Sequence, residues 1–520
     1  MVSSASVSQP ARFAGYAART RKWLTNPENQ LLLLLLLLAA VPLLYELGRH
    51  PIQLWDESRL AVNAAEMSRN GNLLVTHFEG QPDHWNTKPP LLIWLQALSF
   101  TLFGYSTWAL RLPTALATLG TLILLYRFAA RDLRMPLAGF FAGLVLVCST
   151  GYVRLHVART ADYDALLTFW QVVVWTSLFR YLETSRSRAL LWLAVGLTAA
   201  VLTKSVAGLL ALPGLLVYTL FRGRLLWLLR QPRVYAAAAA FGLIVVGYFA
   251  GRNLADPGYW QEVLANDLGG RYLTDLQIHG HPADYYLNQF RNGLFLPWLW
   301  LLLPALLLVL VQPVRRLRWA AVLLTCFASS WFIVISTAAS KLEWYDAPIY
   351  PALALLVGLG LALVLQALRE QYLPAAKRPV VWLAGTLATL VLFFTPYETV
   401  VNQIIKLRYS DFGIGPDGHL ARYLSTTLHK DSQLDSVTAL YSGGYNATLT
   451  FYKMLYQEHQ KELAIYPVST PPRVLQPGTV ALVCDPDYAA RLDSVFQIME
   501  LKQDESCHTL LLVSRKGPAL

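Results

Sequence analysis

The chain has 520 residues, of which 55% are hydrophobic and only 14% charged, with a formal net charge of +11. Soluble domains carry about 25% charge, so a wholly soluble fold is excluded and the apolar runs have to sit in lipid. The basic balance does not indicate nucleic acid, because the Arg and Lys residues lie in short clusters between apolar runs, where membrane orientation accounts for them.

A spanning helix needs about 20 apolar residues. Runs of that kind lie at 31–48, 108–128, 136–155, 163–181, 189–203, 205–221, 234–251, 294–311, 319–338, 347–368 and 379–396. The leucine block Leu31 to Leu38 follows Arg21 and Lys22 as in a signal peptide, but no small-residue cleavage site comes after it, which predicts an anchor. The segment 90–104 is apolar but short, and Pro89 and Pro90 stand at its start. It reads as an interfacial or re-entrant piece packed on the bundle. From about 397 the chain turns polar, with strand-like runs at Ser436–Tyr441 and Thr479–Cys484 and turns at Ser442–Gly444 and Asp485–Pro486. The expected architecture is an all-α polytopic membrane bundle over 1–396 with outer loops 49–107 and 252–293, followed by a small α/β domain over 397–520. Cys148 and Cys326 fall in apolar runs and read as packing residues, whereas Cys484 and Cys507 lie in the polar tail, where a disulfide is open. No zinc-type cysteine spacing occurs.

The basic clusters fix an orientation. Arg19, Arg21 and Lys22 come first, then Arg131 and Arg134, Arg186 and Arg188, Arg222 to Arg233, Arg315 to Arg318, and Arg369 to Arg378. They occupy every second connection, which places them and the N-terminus in the cytoplasm. The segments 49–107, 156–162, the break at Lys204, 252–293, 339–346 and the tail then lie outside.

Several residues on that outer side are candidates for chemistry. Asp56 and Glu57 open a helical stretch with Arg59 one turn on. The plain reading is a favourable charge at a helix start, at about even odds against a general base or metal ligand. Lys88, before Pro89–Pro90, is either a snorkelling anchor or a fixed cation for a lipid phosphate, stiffened by the prolines. Asp162 and Asp164 flank Tyr163 at the start of a span. A cap explains one carboxylate and explains the second less easily. Lys204 interrupts an apolar run, and Arg271, His279, His281, Tyr285, Tyr286, Lys341 and Tyr345 lie in later outer segments. His279 and His281, two residues apart, do not share a helix face and form a weak metal signal. Each residue has a bland explanation alone. Together, carboxylates and cations on one membrane face suit a lipid-phosphate substrate and an acceptor that must lose a proton.

These residues resemble the polyprenyl-phosphate-sugar-dependent membrane glycosyltransferases of GT-C type, among them protein O-mannosyltransferases and, with the nearer likeness, the 4-amino-4-deoxy-L-arabinose transferases that modify lipid A. The carrying residues are DESR at 56–59, Gly71, His77 and Gly80 leading to KPPL at 88–91, Asp164, TK at 203–204, the loop from Arg271 through HGHP at 279–282 to Tyr285–Tyr286, PW at 297–298, and KLEWYDAP at 341–348. The likeness runs in order over roughly residues 30 to 360 and is specific only as a joint match. It implies about two more spans, hence about 11–13 transmembrane helices. It also implies that Asp56 sits at the sugar-transfer centre with Asp164 nearby, that Lys88 and later basic residues hold the lipid phosphate, and that Tyr345 belongs to a loop closing over the lipid. Thr87 stands where the arabinose transferases have an acid, Glu343 where they have proline, and Asp162 is an extra carboxylate. These departures bear on the sugar and acceptor more than on the reaction type.

The expected function is therefore transfer of a sugar from a polyprenyl phosphate to a lipid A-like or protein acceptor on the extracytoplasmic face of the inner or plasma membrane. Asp56 is assigned the proton, Asp164 the acceptor or a share of the base role, and Glu57 a supporting place beside them. Lys88 is assigned the donor phosphate, joined by Arg59, Lys204, Arg271, Lys341 and Tyr345. No cofactor is assigned, and a divalent metal at Asp56 is left open. The rivals are a transporter or flippase of lipid-linked sugars, against which no clear internal repeat is found, and a membrane anchor for the outer domain, which leaves the carboxylates and Lys88 without a role.

Overall fold

The computed structural model describes residues 23–153, 156–270, 280–371, 378–406, 416–427, 435–504 and 506–516. Among the described residues, eight helices are long and apolar enough to cross a membrane: Pro27–Leu44, Thr107–Asp132, Tyr163–Thr184, Ser187–Leu209, Pro232–Ala255, Arg315–Thr337, Glu343–Glu370 and Leu383–Ile405. The apolar run read as a span at 294–311 is a broken pair, Tyr285–Leu294 and Leu299–Leu310, bent by 104°. Apolar helices too short for that length occur at Leu91–Phe103, Pro136–Val147 and Leu212–Phe221. The eleven sequence runs all fall on observed helices, with 136–155 divided into Pro136–Val147 and the short Thr150–Val153 and 294–311 in the broken pair, but among the described residues eight helices, or nine if the bent pair is one span, have the length to cross, against the 11–13 expected.

The helix Pro232–Ala255 turns large apolar side chains outward, Leu243 at 77% and Leu254 at 83% exposure. Water does not tolerate such a surface around a helix, and lipid does. In contrast, Pro136–Val147 lies in the middle of the bundle. Gly358 of Tyr350–Gln371 passes so close to it that a Cβ would stand 2.5 Å from the Ala138 carbonyl. Small residues at such a crossing let the two backbones approach.

The segment between the first two spans opens with a helix, Asp56–Asn70, followed by a two-residue ribbon in which His77–Phe78 pairs with Gln81–Pro82. The C-terminal part is a five-stranded sheet with the order Glu462–Pro467, Ser436–Tyr441, Val480–Val483, Cys507–Arg515, Phe496–Asp504. The first two contacts are parallel and the last two antiparallel. The helix Ala447–Glu458 makes the parallel crossover and packs its apolar face on Asp56–Asn70, burying Phe451, Tyr452 and Leu455 with Leu60, Ala61 and Ala64. Cys484 and Cys507 form a disulfide between neighbouring strands. The last apolar helix, Arg378–Lys406, runs across the boundary read at 396.

Candidate active site

The Asp56–Asn70 helix is held in place by a buried ion pair one residue along. Glu57 receives Arg111 Nε at 2.7 Å and Nη2 at 2.8 Å, and both side chains are at most 3% exposed. The remaining Arg111 protons go to the carbonyls of Leu47, His50 and Pro51. Glu57 also accepts the Ala161 and Gln53 amides at 2.9 Å. A buried pair with this many satisfied lone pairs fixes geometry. Here it ties the Asp56–Asn70 helix to the turn before Asp162.

Asp56 is the first residue of that helix, and no side-chain cap closes the helix start. Trp55, immediately before it, has φ 80°, a backbone region that costs a side chain about 1–3 kcal/mol and that collects at functional sites. The half-buried Asp56 carboxylate meets His156 and Asp162, one ligand-type atom of each lying within 4.8 Å of the others. His156 Nδ1 is 3.0 Å from Asp162 Oδ2, and Asp162 Oδ1 accepts the Tyr163 amide as the N-cap of Tyr163–Thr184. Burial alone would lower the His156 pKa, but Asp162, Asp56 and Asp164 together hold it above its ordinary value. Burial alone would likewise raise the Asp162 carboxyl, which His156 and Lys204 hold below the ordinary range. Among the described residues, Asp56, His156 and Asp162 are the set able to hold a divalent cation.

On the other side of this turn lies a cavity of about 390 Å³ lined by Lys88, Asp164, Lys204, Asp267 and Tyr345. Its remaining lining is mostly apolar, with Leu167, Val206, Leu210, Trp331, Val334 and Ile335, and includes Ser205 and Ser340. Lys204 Nζ binds both Asp164 oxygens, at 2.7 and 2.5 Å, and stands 5.0 Å from the centre of the Tyr345 ring. The Tyr345 carbonyl accepts Trp331 Nε1 at 2.9 Å, which fixes the turn at 339–346 against the bundle. Trp344 stacks on His156 at 3.6 Å, so that turn also touches the Asp56 cluster.

Lys88 is presented by a stretch anchored from two directions. Toward the first helix, Asp83 takes Arg59 Nε and Nη2 at 2.8 and 2.6 Å and Asn63 at 2.9 Å, while Asn86 bonds Asn63 and Tyr163. Burial works to raise the Asp83 pKa, but Arg59 and the Asn63 and Asn86 hydrogen bonds hold it below the ordinary range. Toward the segment after Pro232–Ala255, His84 bonds Asp256, the Thr87 carbonyl accepts Tyr259 at 2.7 Å, and the Thr87 hydroxyl donates to Asp267 at 3.0 Å. The chain thus places a carboxylate beside Thr87 from a loop 180 residues away.

Of the residues singled out from sequence, Lys88, Asp164, Lys204 and Tyr345 line one cavity, and Asp56 stands behind it with His156 and Asp162. Glu57 is bound to Arg111 and Arg59 to Asp83, so both frame the site and neither lines the cavity. Lys341 sits beside the cavity, with Nζ on the His281 and Ala338 carbonyls at 2.8 and 2.6 Å. His281 stacks on Tyr285, and Arg271 and His279 lie outside the described residues. Sequence reasoning missed His156, Asp267, Arg111 and Asp83. Each stands alone in its stretch of sequence and acquires meaning only from its partner in space.

Residues 87–249 match the family described as dolichyl-phosphate-mannose-protein mannosyltransferase. The undecaprenyl phosphate-alpha-4-amino-4-deoxy-L-arabinose arabinosyl transferase of Aeromonas salmonicida is 28% identical over 362 residues, covering 67% of this chain and 62% of that protein. The chain therefore spans less than two thirds of that curated relative. In three dimensions, ArnT from Cupriavidus metallidurans, solved bound to undecaprenyl phosphate, matches with a TM-score of 0.62 at 19% identity, over 92% of this chain and 97% of that one. The Archaeoglobus fulgidus oligosaccharyltransferase in its apo form matches with a TM-score of 0.54 at 11% identity, over 86% and 66%. The fold is of GT-C type with a small C-terminal sheet domain, in an integral membrane protein, and the resemblance seen in the residues extends to the architecture.

Proposed function

We propose that this chain is a glycosyltransferase that takes a sugar from a polyprenyl phosphate, undecaprenyl phosphate in a bacterium, and gives it to a hydroxyl on a lipid or protein acceptor at the extracytoplasmic face. The observation that carries this reading is the cavity that sets Lys88 and the Lys204–Asp164 pair against an apolar wall. A lipid phosphate needs cations at one end and apolar surface for its chain. In a water-poor site those cations act strongly on the charge that develops as the sugar leaves.

In this reading the acceptor oxygen attacks the anomeric carbon, the bond from that carbon to the phosphate oxygen breaks, and the lipid phosphate leaves carrying the electron pair. Lys88 receives the growing negative charge. Asp164 aims the Lys204 ammonium into the same space, and Tyr345 closes it from its own turn. Asp56 takes the acceptor proton, with His156 and Asp162 setting the field around it. Inversion at the anomeric carbon follows from one displacement on the face opposite the phosphate. Glu57 and Arg59 are positioning residues. A divalent cation on Asp56, His156 and Asp162 would supply extra positive charge at the acceptor. The disulfide between Cys484 and Cys507 supports the outer placement of the C-terminal domain, because such bonds persist in oxidising compartments.

The test is purified protein with labelled undecaprenyl-phosphate sugar. Release of undecaprenyl phosphate coupled to a labelled acceptor is expected. Movement of the intact donor across a vesicle without cleavage would replace this reading with a flippase.

A further inference from the structure

A second cavity, of about 800 Å³, lies between the segment after the first span and the C-terminal domain. One wall comes from Asp56–Asn70 and the ribbon after it, through Glu66, Arg69 and Glu79. The other comes from Ala447–Glu458 and the turn before it, through Asn446, Lys453 and Gln457. The first wall carries both acids together with Arg69 and His77, the second carries Lys453 with the amides of Asn446 and Gln457, and Leu449 and Met454 add apolar surface. Such a lining mixes charges of both signs and amides with apolar surface, so it selects neither an anion, a cation nor an acyl chain alone. It donates and accepts hydrogen bonds on all sides, as a hydroxyl-rich ligand requires.

The cleft is joined to the candidate active site by an aromatic platform. Tyr445, between the cleft residues Gly444 and Asn446, stacks on Trp55 at 5.0 Å and on Phe78 at 6.0 Å. The Arg59 guanidinium lies 3.8 Å over the Phe78 ring. Trp55 is 58% exposed and directly precedes Asp56. An exposed indole face beside polar, planar side chains is the surface on which the C–H face of a sugar ring packs, since it offers apolar area with a hydrogen-bonding edge.

We propose that this cleft is the acceptor subsite, and that it binds the saccharide part of the acceptor, delivering its hydroxyl across Trp55 and Tyr445 to Asp56. The inference rests on the transferase reading and deepens it. It gives the C-terminal domain a part in choosing the acceptor.

The experiment uses the full chain in detergent with lipid A as acceptor, its deacylated glucosamine disaccharide as competitor and a serine-containing peptide as the contrasting acceptor. Lys453→Glu reverses an exposed charge, and Thr450→Trp fills the cleft at Thr450, whose hydroxyl donates to Glu79 Oε1 at 3.1 Å from one wall to the other. Each is expected to raise the acceptor KM tenfold or more, while the donor KM and the affinity for undecaprenyl phosphate move less than twofold. Competition by the deacylated disaccharide shows that the glycan alone is read. Competition only by acylated material, with the same KM shift, assigns a glycolipid headgroup. An unmoved acceptor KM in Lys453→Glu, or transfer to the peptide and to no saccharide, overturns the proposal. If Thr450→Trp does not fold, the surface variant Lys453→Glu decides. Failure of the wild type to cleave any donor would instead remove the transferase reading, and this subsite with it.

Discussion

Asp56 opens its helix without capping it, behind a Trp55 held at φ 80°. Helix capping therefore leaves its carboxylate unused, and a general-base role gives it one. Asp56→Asn keeps the shape and removes the base. Turnover is expected to fall about a hundredfold to ten-thousandfold, with undecaprenyl phosphate affinity kept, and normal turnover would return Asp56 to a helix-start role. Glu57→Gln acts differently. It leaves the buried Arg111 guanidinium without its counter-charge, which commonly costs about 3–5 kcal/mol, so a lowered melting temperature should precede any kinetic effect. His50 supplies a pH signature. Burial, followed by the charges of Arg111, Arg159 and Arg49, lowers its pKa from 6.5 to about 4. The folded chain then keeps His50 neutral where the unfolded chain would protonate it. Stability is whole above pH 6.5 and is lost as pH falls toward 4, by about 3 kcal/mol in all. His50→Asn should flatten that acid limb in a thermal melt, and an unchanged limb would place its origin elsewhere.

The elements show which parts of the site were legible. Lys88, Asp164 and Lys204 stand out in the sequence because a charge against an apolar helix demands a reason, and the structure gathers them around one cavity. Tyr345 came from a motif, and Trp331 and Trp344 supply the contacts that fix it. Arg111 was hidden inside an apolar helix read only as a span, and its partner Glu57 lies 54 residues earlier. Asp267 sits in the long loop after Pro232–Ala255, where nothing local distinguishes it. The break at 285–310 was also invisible, because an apolar run reports length and not direction. In the C-terminal sheet, the disulfide closes a loop with a sequence separation of 23. Closing a loop of that size stabilises by about 3 kcal/mol in the chain-entropy account. Cys484→Ser with Cys507→Ser should therefore lower the melting temperature of the sheet domain while the bundle remains helical. No shift in melting would mean that the sheet is held by its packing on Asp56–Asn70.

At the scale of the whole molecule, the clustered arginines and the polar residues were read independently, and one orientation serves both. That orientation is tested by labelling. A cysteine at Arg316 should react only after lysis, whereas one at Gly280 should react on intact spheroplasts, and the reverse pattern would move the site to the cytoplasm. The fold class was legible because composition forces apolar runs into lipid. The packing of Ala447–Glu458 on Asp56–Asn70 was not, since it joins segments almost 400 residues apart through ordinary apolar side chains. A cavity that holds a lipid phosphate on Lys88 is read most directly by the equilibrium affinity of the purified chain for undecaprenyl phosphate. Lys88→Ala should weaken it tenfold or more and Lys88→Arg should recover part of it, because charge is the first requirement and the guanidinium is bulkier and forked. Equal affinity in wild type and Lys88→Ala would contradict the account and leave Lys88 an anchor at the membrane edge.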